Sequence, residues 1–186
     1  MRINGFIVPC MPVVVALGII LWAGGCQTAP PTESKRESLV EEAQAALKQM
    51  KAADPSLEEF LDKAHAYAIF PSVGKGGLIA GGAYGRGVVY QNGQFIGYAD
   101  ITQATVGAQI GGQAFRELVV FQNTESLERF KTGKLAFSAN ASAVALDRGV
   151  AKAARYTDGV AVFVQPLGGL MAEASIGGQQ FTFQAK

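Results

Sequence analysis

The stretch Tyr90-Gln91-Asn92-Gly93-Gln94-Phe95 decides the fold of this chain. An Asn-Gly pair between β-branched and aromatic runs is the strongest short signal for a two-residue type I′ hairpin, because both turn residues need a positive φ. The flanking strands are predicted over Gly77–Tyr90 and Gln94–Thr105. The sequence therefore predicts an antiparallel strand pair at this point of the chain.

Six further short runs have the same β-branched and aromatic texture and are separated by glycine-containing turns. They cover Tyr67–Phe70, Glu117–Gln122, Leu135–Leu146, Gly159–Gln165, Leu170–Ile176 and Gln180–Gln184. Successive strands without a helix between each pair favour an antiparallel sheet, and interior glycines indicate strong bending or closure. We therefore predict an α+β fold with a curved antiparallel β-sheet or a small barrel.

Two amphipathic helices are predicted before the strands and one among them. The first, rich in glutamate, repeats its apolar residues at three- and four-residue spacing. The second opens either with an Asp54 cap or with a Ser56/Glu59 capping box. The inserted helix, Thr124–Lys131, has acid in its first turn, base in its last turn and Gly133 beyond as a stop signal.

The N-terminus carries the pattern of a lipoprotein signal. The apolar run Phe6–Ala23 is followed by Gly24-Gly25-Cys26, and small residues ahead of a cysteine fit the narrow site of lipoprotein signal peptidase. An uncleaved signal anchor is the alternative. Pro9 and Pro12 disfavour it, because they would disturb a helix that is barely long enough to span a bilayer. We predict cleavage before Cys26 and lipidation of its thiol.

The chain is thus predicted to have three parts. Residues 1–25 form the signal peptide, residues 26–35 a proline- and threonine-containing tether, and residues 36–186 a single domain. The residue after the lipidated cysteine is Gln27 rather than the aspartate that favours inner-membrane retention in enterobacteria. We therefore expect a lipid-anchored protein of the bacterial cell envelope, at the outer membrane and facing the periplasm.

Composition argues against several kinds of site. The formal net charge is +1, so no global field draws the protein to nucleic acid. Cys10 leaves with the leader and Cys26 carries lipid, which leaves the mature domain without a thiol or a disulfide. His65 is the single histidine, and one imidazole cannot make a His-rich metal site. With no Ser/His/Asp grouping visible either, we expect no enzyme activity, no metal and no cofactor.

Two glycine-rich segments fall short of nucleotide-binding motifs. Pro71–Gly77 has its lysine ahead of glycines and a strand, whereas a P-loop needs Ser or Thr after the lysine at the start of a helix. Gly82–Gly87 fails the dinucleotide fingerprint in spacing and in the missing helix. Both are predicted as turn or bend glycines, so valine at Gly82 or Gly85 should damage folding before it damages binding.

The glycine-rich stretches together resemble the SYLF-domain family. The matching residues are Ala64–Gly77, Gly81–Val88 and Val106–Gln113, the last running into Leu118–Phe121, with an alanine-rich strand near Asn140. The resemblance implies a lipid-binding module. Eukaryotic relatives are associated with phosphoinositide-containing membranes and actin, and bacterial relatives are typically exported lipoproteins.

Lysine and arginine side chains near the glycine-rich loops are the predicted contacts to phosphate oxygens, acting jointly because each contributes little alone. The candidates are Lys75, Arg86, Arg116, Lys131, Lys134, Lys152 and Arg155. The first hypothesis is a lipid-anchored envelope protein whose SYLF-like domain binds anionic phospholipid without catalysis. The alternatives are a structural or assembly lipoprotein of the envelope that binds a protein partner, and a barrel that holds a small apolar ligand.

Overall fold

The computed structural model describes residues 28–77, 80–106, 113–137, 142–168 and 174–186, with side chains except at 75–77, 80–81, 105–106, 113, 142 and 174–175. Its helices are α1 (Glu33–Ala53), α2 (Ser56–Asp62), α3 (Thr124–Lys131) and α4 (Val150–Ala153). Its strands are β1 (Ala66–Gly77), β2 (Ala80–Gln91), β3 (Gln94–Val106), β4 (Gln113–Phe121), β5 (Ser142–Ala145), β6 (Val160–Pro166), β7 (Ala174–Ser175) and β8 (Gln179–Ala185). The predicted signal peptide and Cys26 lie outside the described residues.

One sheet organises the domain, and its strand order is β7-β5-β6-β4-β1-β2-β3-β8. Within the described ranges β7 and β8 are the two edges and no pairing joins them, so the sheet is open rather than a barrel. The sheet is also mixed, because β5 runs parallel to β6. The connection through α4 provides the crossover that a parallel pair needs. The predicted α+β fold is confirmed.

The hairpin between β2 and β3 has the predicted turn. Asn92 and Gly93 have φ values of 49° and 76°, the two positive values that a type I′ turn requires. Gln91 pairs with Gln94 across the turn. The predicted turn and the antiparallel pairing of β2 and β3 are therefore confirmed.

The sheet is strongly curved. Gln179 on β8 donates a hydrogen bond from Nε2 to Oε2 of Glu117 on β4, over a distance of 2.9 Å. Three strands lie between β4 and β8, and in a flat sheet this separation would be about 19 Å. The two side chains meet only because the sheet curls around its concave face.

The concave face holds one of two hydrophobic cores. Phe70, Ile101 and Phe115 project into it from β1, β3 and β4, and α3 contributes Leu127 and Phe130. The Phe130 ring lies 5.0 Å from the ring of Phe181 on β8, measured between centroids. Side chains from the strands and from α3 thus make up this core.

The convex face carries the other three helices. In α1 the buried residues are Leu39, Ala43, Ala46 and Met50, which follow the predicted three- and four-residue spacing. They pack with α2 and α4 on convex residues such as Val88 and Leu118. The covered residues belong to the end of the sheet near the Asn92-Gly93 turn, which we call the lower end; the end with the β1–β2 connection is the upper end.

The first described residues are docked on the domain. Thr28 and Ala29 are 6% and 3% exposed. The Thr28 hydroxyl lies 3.0 Å from the Thr182 hydroxyl on β8, and Ala29 N donates to Gln184 Oε1 at 3.0 Å. Helix α1 then starts at Glu33 with Thr32 as its N-cap. The part of the predicted tether that is described is thus packed and helical.

Candidate functional site

The upper half of the convex face lies beyond α1 and is exposed to solvent. Residues alternate there between the concave core and the outside, as in the pairs Ala83 and Tyr84 or Ile101 and Thr102. We call this region the open face. Its described members share an outward position, and most have small or polar side chains: Ser72, Gly74, Gly82, Tyr84, Arg86, Thr102, Ala104, Ala114, Arg116 and Leu167.

Three polar side chains form a cluster where the open face meets α1. Arg86 Nε donates to Asp100 Oδ1 at 3.0 Å, and Arg86 Nη2 donates to the Tyr84 hydroxyl at 3.0 Å. Arg86 and Asp100 are directly opposite on β2 and β3. Burial raises the pKa of Asp100, and the hydrogen bond from Arg86 opposes that rise. The guanidinium is therefore held in a defined position.

Arg116 is the second cation of the open face. Its Nη1 donates to Gln165 Oε1 at 3.1 Å, across the β4–β6 pair. It lies opposite the β1 bulge, and Ser72 in that bulge pairs with Arg86. One strand thus separates the two arginines, so their Cα atoms are about 10 Å apart. The structure brings these two predicted lipid contacts together on one surface.

The open face also carries exposed apolar surface. Tyr84 is 50% exposed and Leu167 is 39% exposed, and they are the two large hydrophobic side chains of the described residues with this degree of exposure. Leu167 N donates to Ala114 O, which places it at the upper end of β4. Aromatic rings with a polar tip are typical of surfaces with one apolar and one aqueous side.

A second basic region is a groove between α2 and α4 with a volume of about 390 Å³. Phe60 and Tyr156 contribute apolar wall, with their ring centroids 4.9 Å apart. Lys63, Lys152 and Arg155 also line it, and Glu59 is the one carboxylate among its described lining residues. We call it the basic groove. It brings together Lys152 and Arg155 and adds Lys63.

Asp54 fixes the two helices that form the basic groove. Its Oδ1 accepts hydrogen bonds from Ser56 N at 3.0 Å and Gly149 N at 2.9 Å, and its Oδ2 accepts one from Ala151 N at 2.7 Å. Burial alone would raise the pKa of Asp54, but these bonds together hold it below its usual value. The carboxylate therefore caps α4 as well as the start of α2, and the alternative Ser56/Glu59 capping box is not needed.

The remaining predicted contacts lie elsewhere. Lys131, in the last turn of α3, pairs with Glu128 at 2.7 Å and lies 5.8 Å from the ring centroid of Phe183. Lys134 is exposed in the segment after α3. Lys75 belongs to β1, and its side chain lies outside the described ones. The described side chains of the predicted set thus fall into three groups instead of one patch.

His65 takes part in a small hydrogen-bonded group between β1 and α3. Its Nε2 lies 2.9 Å from Gln91 Nε2 and 3.3 Å from Thr124 Oγ1. Within the described ranges no group of three or more His, Cys, Asp or Glu residues could hold a metal ion. Nothing in the surroundings of His65 assigns it a role beyond these contacts.

Sequence reasoning missed three features of these sites: Asp100 as the partner of Arg86, Lys63 as a member of the basic groove, and the docking of Thr28. Counting outward from the Asn92-Gly93 turn places Arg86 opposite Ala99, one residue away from its true partner, because a bulge follows Val89. Counting strand partners from the turn therefore comes within one residue of Asp100, the true partner of Arg86. Lys63 and Thr28 depend on remote contacts that carry no local signal.

Among the described residues no helix has the length and apolar character needed to cross a membrane. Comparison of the chain with protein-family models and with curated proteins gives no match.

Proposed function

We propose that the protein is a lipid-anchored protein of the bacterial cell envelope whose SYLF-like domain binds anionic phospholipid without covalent chemistry. The lipid anchor is the one predicted on Cys26, and the outer membrane facing the periplasm is the proposed location. The observation that carries the lipid-binding part is the open face. It combines two arginines about 10 Å apart with exposed Tyr84 and Leu167.

The chemistry of this surface fits a phospholipid headgroup region. A guanidinium presents several donors to phosphate oxygens, and Arg86 is already oriented by Asp100. Small residues such as Gly74 and Ala104 let the sheet approach a flat partner closely. The resemblance of the glycine-rich stretches to the SYLF-domain family supports the same ligand class.

Liposome co-sedimentation of a soluble chain that begins at Gln27 tests this proposal. Phosphatidylglycerol-containing vesicles should bind the wild-type chain, and Arg86→Gln/Arg116→Gln should weaken binding about 10- to 30-fold, because each cation near a charged surface contributes about 1 kcal/mol. Glutamine at position 86 retains a donor for Asp100. Raised salt should reduce the difference.

The matched control is Lys131→Gln/Lys134→Gln, which removes two cations near α3 and leaves the open face intact. We expect it to bind within about twofold of wild type at moderate salt, since charges beyond a Debye length of about 8–10 Å are screened. An equal loss in both double variants would contradict the assignment to the open face and favour joint action of all the predicted cations. Binding that neither variant changes would rule out the cationic mechanism.

The basic groove favours the second candidate function, an assembly lipoprotein that binds a protein partner. Three cations around an apolar wall of Phe60 and Tyr156 suit an acidic segment with one aromatic residue. A Glu-rich peptide carrying one phenylalanine is the probe, measured by fluorescence anisotropy. Lys152→Glu/Arg155→Glu should abolish its binding and Lys131→Glu/Lys134→Glu should not. Absence of peptide binding to wild type would remove this candidate.

A further inference from the structure

We infer that the docked segment Thr28–Pro30 acts as a short leash, which holds the open face against the same bilayer that carries the lipid on Cys26. The inference rests on the proposed lipid anchor and goes beyond it, because it assigns the membrane-facing surface of the domain. The occupant of the open face is then a phospholipid bilayer surface. A soluble lipid or a protein partner would not need this arrangement.

The docking of the segment is specific. Thr28 and Ala29 hydrogen-bond to Thr182 and Gln184 on the convex side of β8. Arg36 Nε then donates to Pro30 O at 2.9 Å, which ties the segment to α1 as well. The chain therefore leaves the domain at a fixed point, the convex side of the edge strand β8.

The distance from that point to the lipid is short. Two peptide steps join Thr28 to Cys26, so their Cα atoms are at most about 7 Å apart. The polar region of one leaflet is on the order of 5–8 Å thick. Acyl chains on Cys26 would thus bring β8 to the membrane surface, and a domain held there has few orientations available.

Two surfaces adjoin this point, and their charges distinguish them. On one side the first ten residues of α1 hold four glutamates against two cations, Lys35 and Arg36, so this side is net negative and an anionic bilayer repels it. On the other side the open face begins beside β8 with Thr102 on β3, and Arg86 lies one strand further on β2, paired with Asp100. The open face presents a net positive charge and Tyr84, so it is the side that turns to the bilayer.

Tryptophan fluorescence can test which surface of the domain faces the bilayer. Its single tryptophan, Trp22, lies in the predicted signal peptide, so a tryptophan introduced in the mature protein is the only one. Tyr84→Trp places the probe on the open face. Gln122→Trp, at an exposed position directly after the lower end of β4, is the matched control at the far end of the sheet. The acylated protein is reconstituted in phosphatidylcholine/phosphatidylglycerol vesicles with brominated acyl chains.

We expect roughly twofold or greater quenching of Tyr84→Trp and little change for Gln122→Trp, because interfacial side chains reach about 5–10 Å into the boundary region. Thr182→Ala/Gln184→Ala, which removes the docking partners, should reduce quenching of Tyr84→Trp while flotation persists. Leu167→Trp repeats the measurement if Tyr84→Trp fails to fold.

The outcomes separate this inference from the proposed function. Protein that floats with vesicles but shows equal quenching at both positions, or more at Gln122→Trp, overturns the leash and leaves the anchor in place. Quenching of Tyr84→Trp that survives Thr182→Ala/Gln184→Ala also overturns it. Protein that does not float at all overturns the anchor and the leash together.

Discussion

The concave and convex faces of this sheet are built from the same strands, yet the concave face forms a buried core and the upper end of the convex face faces outward. Phe70 and Ile101 point into the concave core and are fully buried, while Ser72, beyond the bulge after Phe70, and Thr102, next to Ile101, point outward and are exposed. The concave face is closed by curvature and α3. Within the described ranges helices cover the convex face only at its lower end, which leaves its upper end as the candidate binding surface.

The difference between the two faces predicts where the chain tolerates amino-acid substitutions. A substitution on the concave face acts on a closed core, where volume and polar partners are fixed. A substitution on the open face acts on solvent and on whatever binds there. The same residue type should therefore have very different effects on stability at neighbouring positions of one strand.

Gly85→Val, on the concave face, should have the largest effect on stability. A Cβ at Gly85 would lie 2.8 Å from Val73 Cγ2 and 3.0 Å from both Ile101 Cγ2 and Ser72 O, and valine adds two more methyl groups. We expect Gly85→Val to lower the free energy of unfolding by about 3 kcal/mol or more. Urea denaturation of the soluble chain measures it.

Gly82→Val is the control on the other side of β2. A Cβ there would lie 3.3 Å from Gln103 O and otherwise meets solvent, so the loss should be at least about 2 kcal/mol smaller. The sequence predicts damage at both glycines, and the structure distinguishes them. Equal destabilisation would contradict the assignment of Gly82 to the open face.

Asp54→Ala tests the helical cover of the lower convex face. It removes the acceptor of the hydrogen bonds from Ser56 N, Gly149 N and Ala151 N. We expect the free energy of unfolding to fall by about 2–3 kcal/mol, because caps contribute about 1 kcal/mol each and buried donors are left unsatisfied. Hydrogen exchange should show lost protection in α2 and α4 while β1 and β4 stay protected. Uniform loss across the sheet would contradict a local role for Asp54.

Glu117 makes the concave face sensitive to pH. Burial raises its pKa to about 8, and the hydrogen bond from Gln179 opposes the rise. The folded state thus keeps a proton that the unfolded chain releases near its ordinary value of 4.5. The contribution of Glu117 to stability is greatest below that value and falls as pH rises toward 8, by at most about 1.4 kcal/mol per pH unit.

The check is Glu117→Gln, which keeps the shape and the amide partner but cannot ionise. Between pH 5.5 and 7 the wild-type chain should lose about 2 kcal/mol relative to this variant. Denaturant midpoints of both chains at several pH values give the comparison. Parallel pH profiles would show that Glu117 is ionised in the folded protein.

Ala104→Ser should have the smallest effect. Ala104 is exposed on the open face, so we expect a change within about 0.5 kcal/mol in the free energy of unfolding. The matched change is Ala83→Ser on the concave side, where a hydroxyl enters a core position and should cost about 1–2 kcal/mol. If Ala104→Ser proves the more damaging of the two, the open face is part of a core.

Much of the fold could be predicted because its signals are local. Asn92-Gly93 selects its own turn, and Thr124–Lys131 begins and ends where its capping residues and Gly133 place it. The eight predicted strands all correspond to strands of the sheet, and within the range predicted over Leu135–Leu146 the described strand is Ser142–Ala145. These features depend on torsional preferences and side-chain spacing within a few residues, which the sequence states directly.

The site could be predicted only as a set of residue types. The sequence named Arg86, Arg116, Lys152 and Arg155 as candidate contacts, but it could not say which of them share a surface. Grouping them needed the strand order and the β1 bulge, since one extra residue shifts every partner beyond it.

What the sequence determined by itself is therefore the turn, three of the four described helices and the approximate positions of the strands, while α4 was missed and the lipid signal ahead of Cys26 stays a prediction. The tertiary structure alone decided that Glu117 meets Gln179, that Asp54 caps a helix 97 residues away, and that Thr28 docks on β8. The physical reason is that backbone preferences are set by neighbours in the chain. Contacts between remote residues are set by the curvature and packing of the whole sheet.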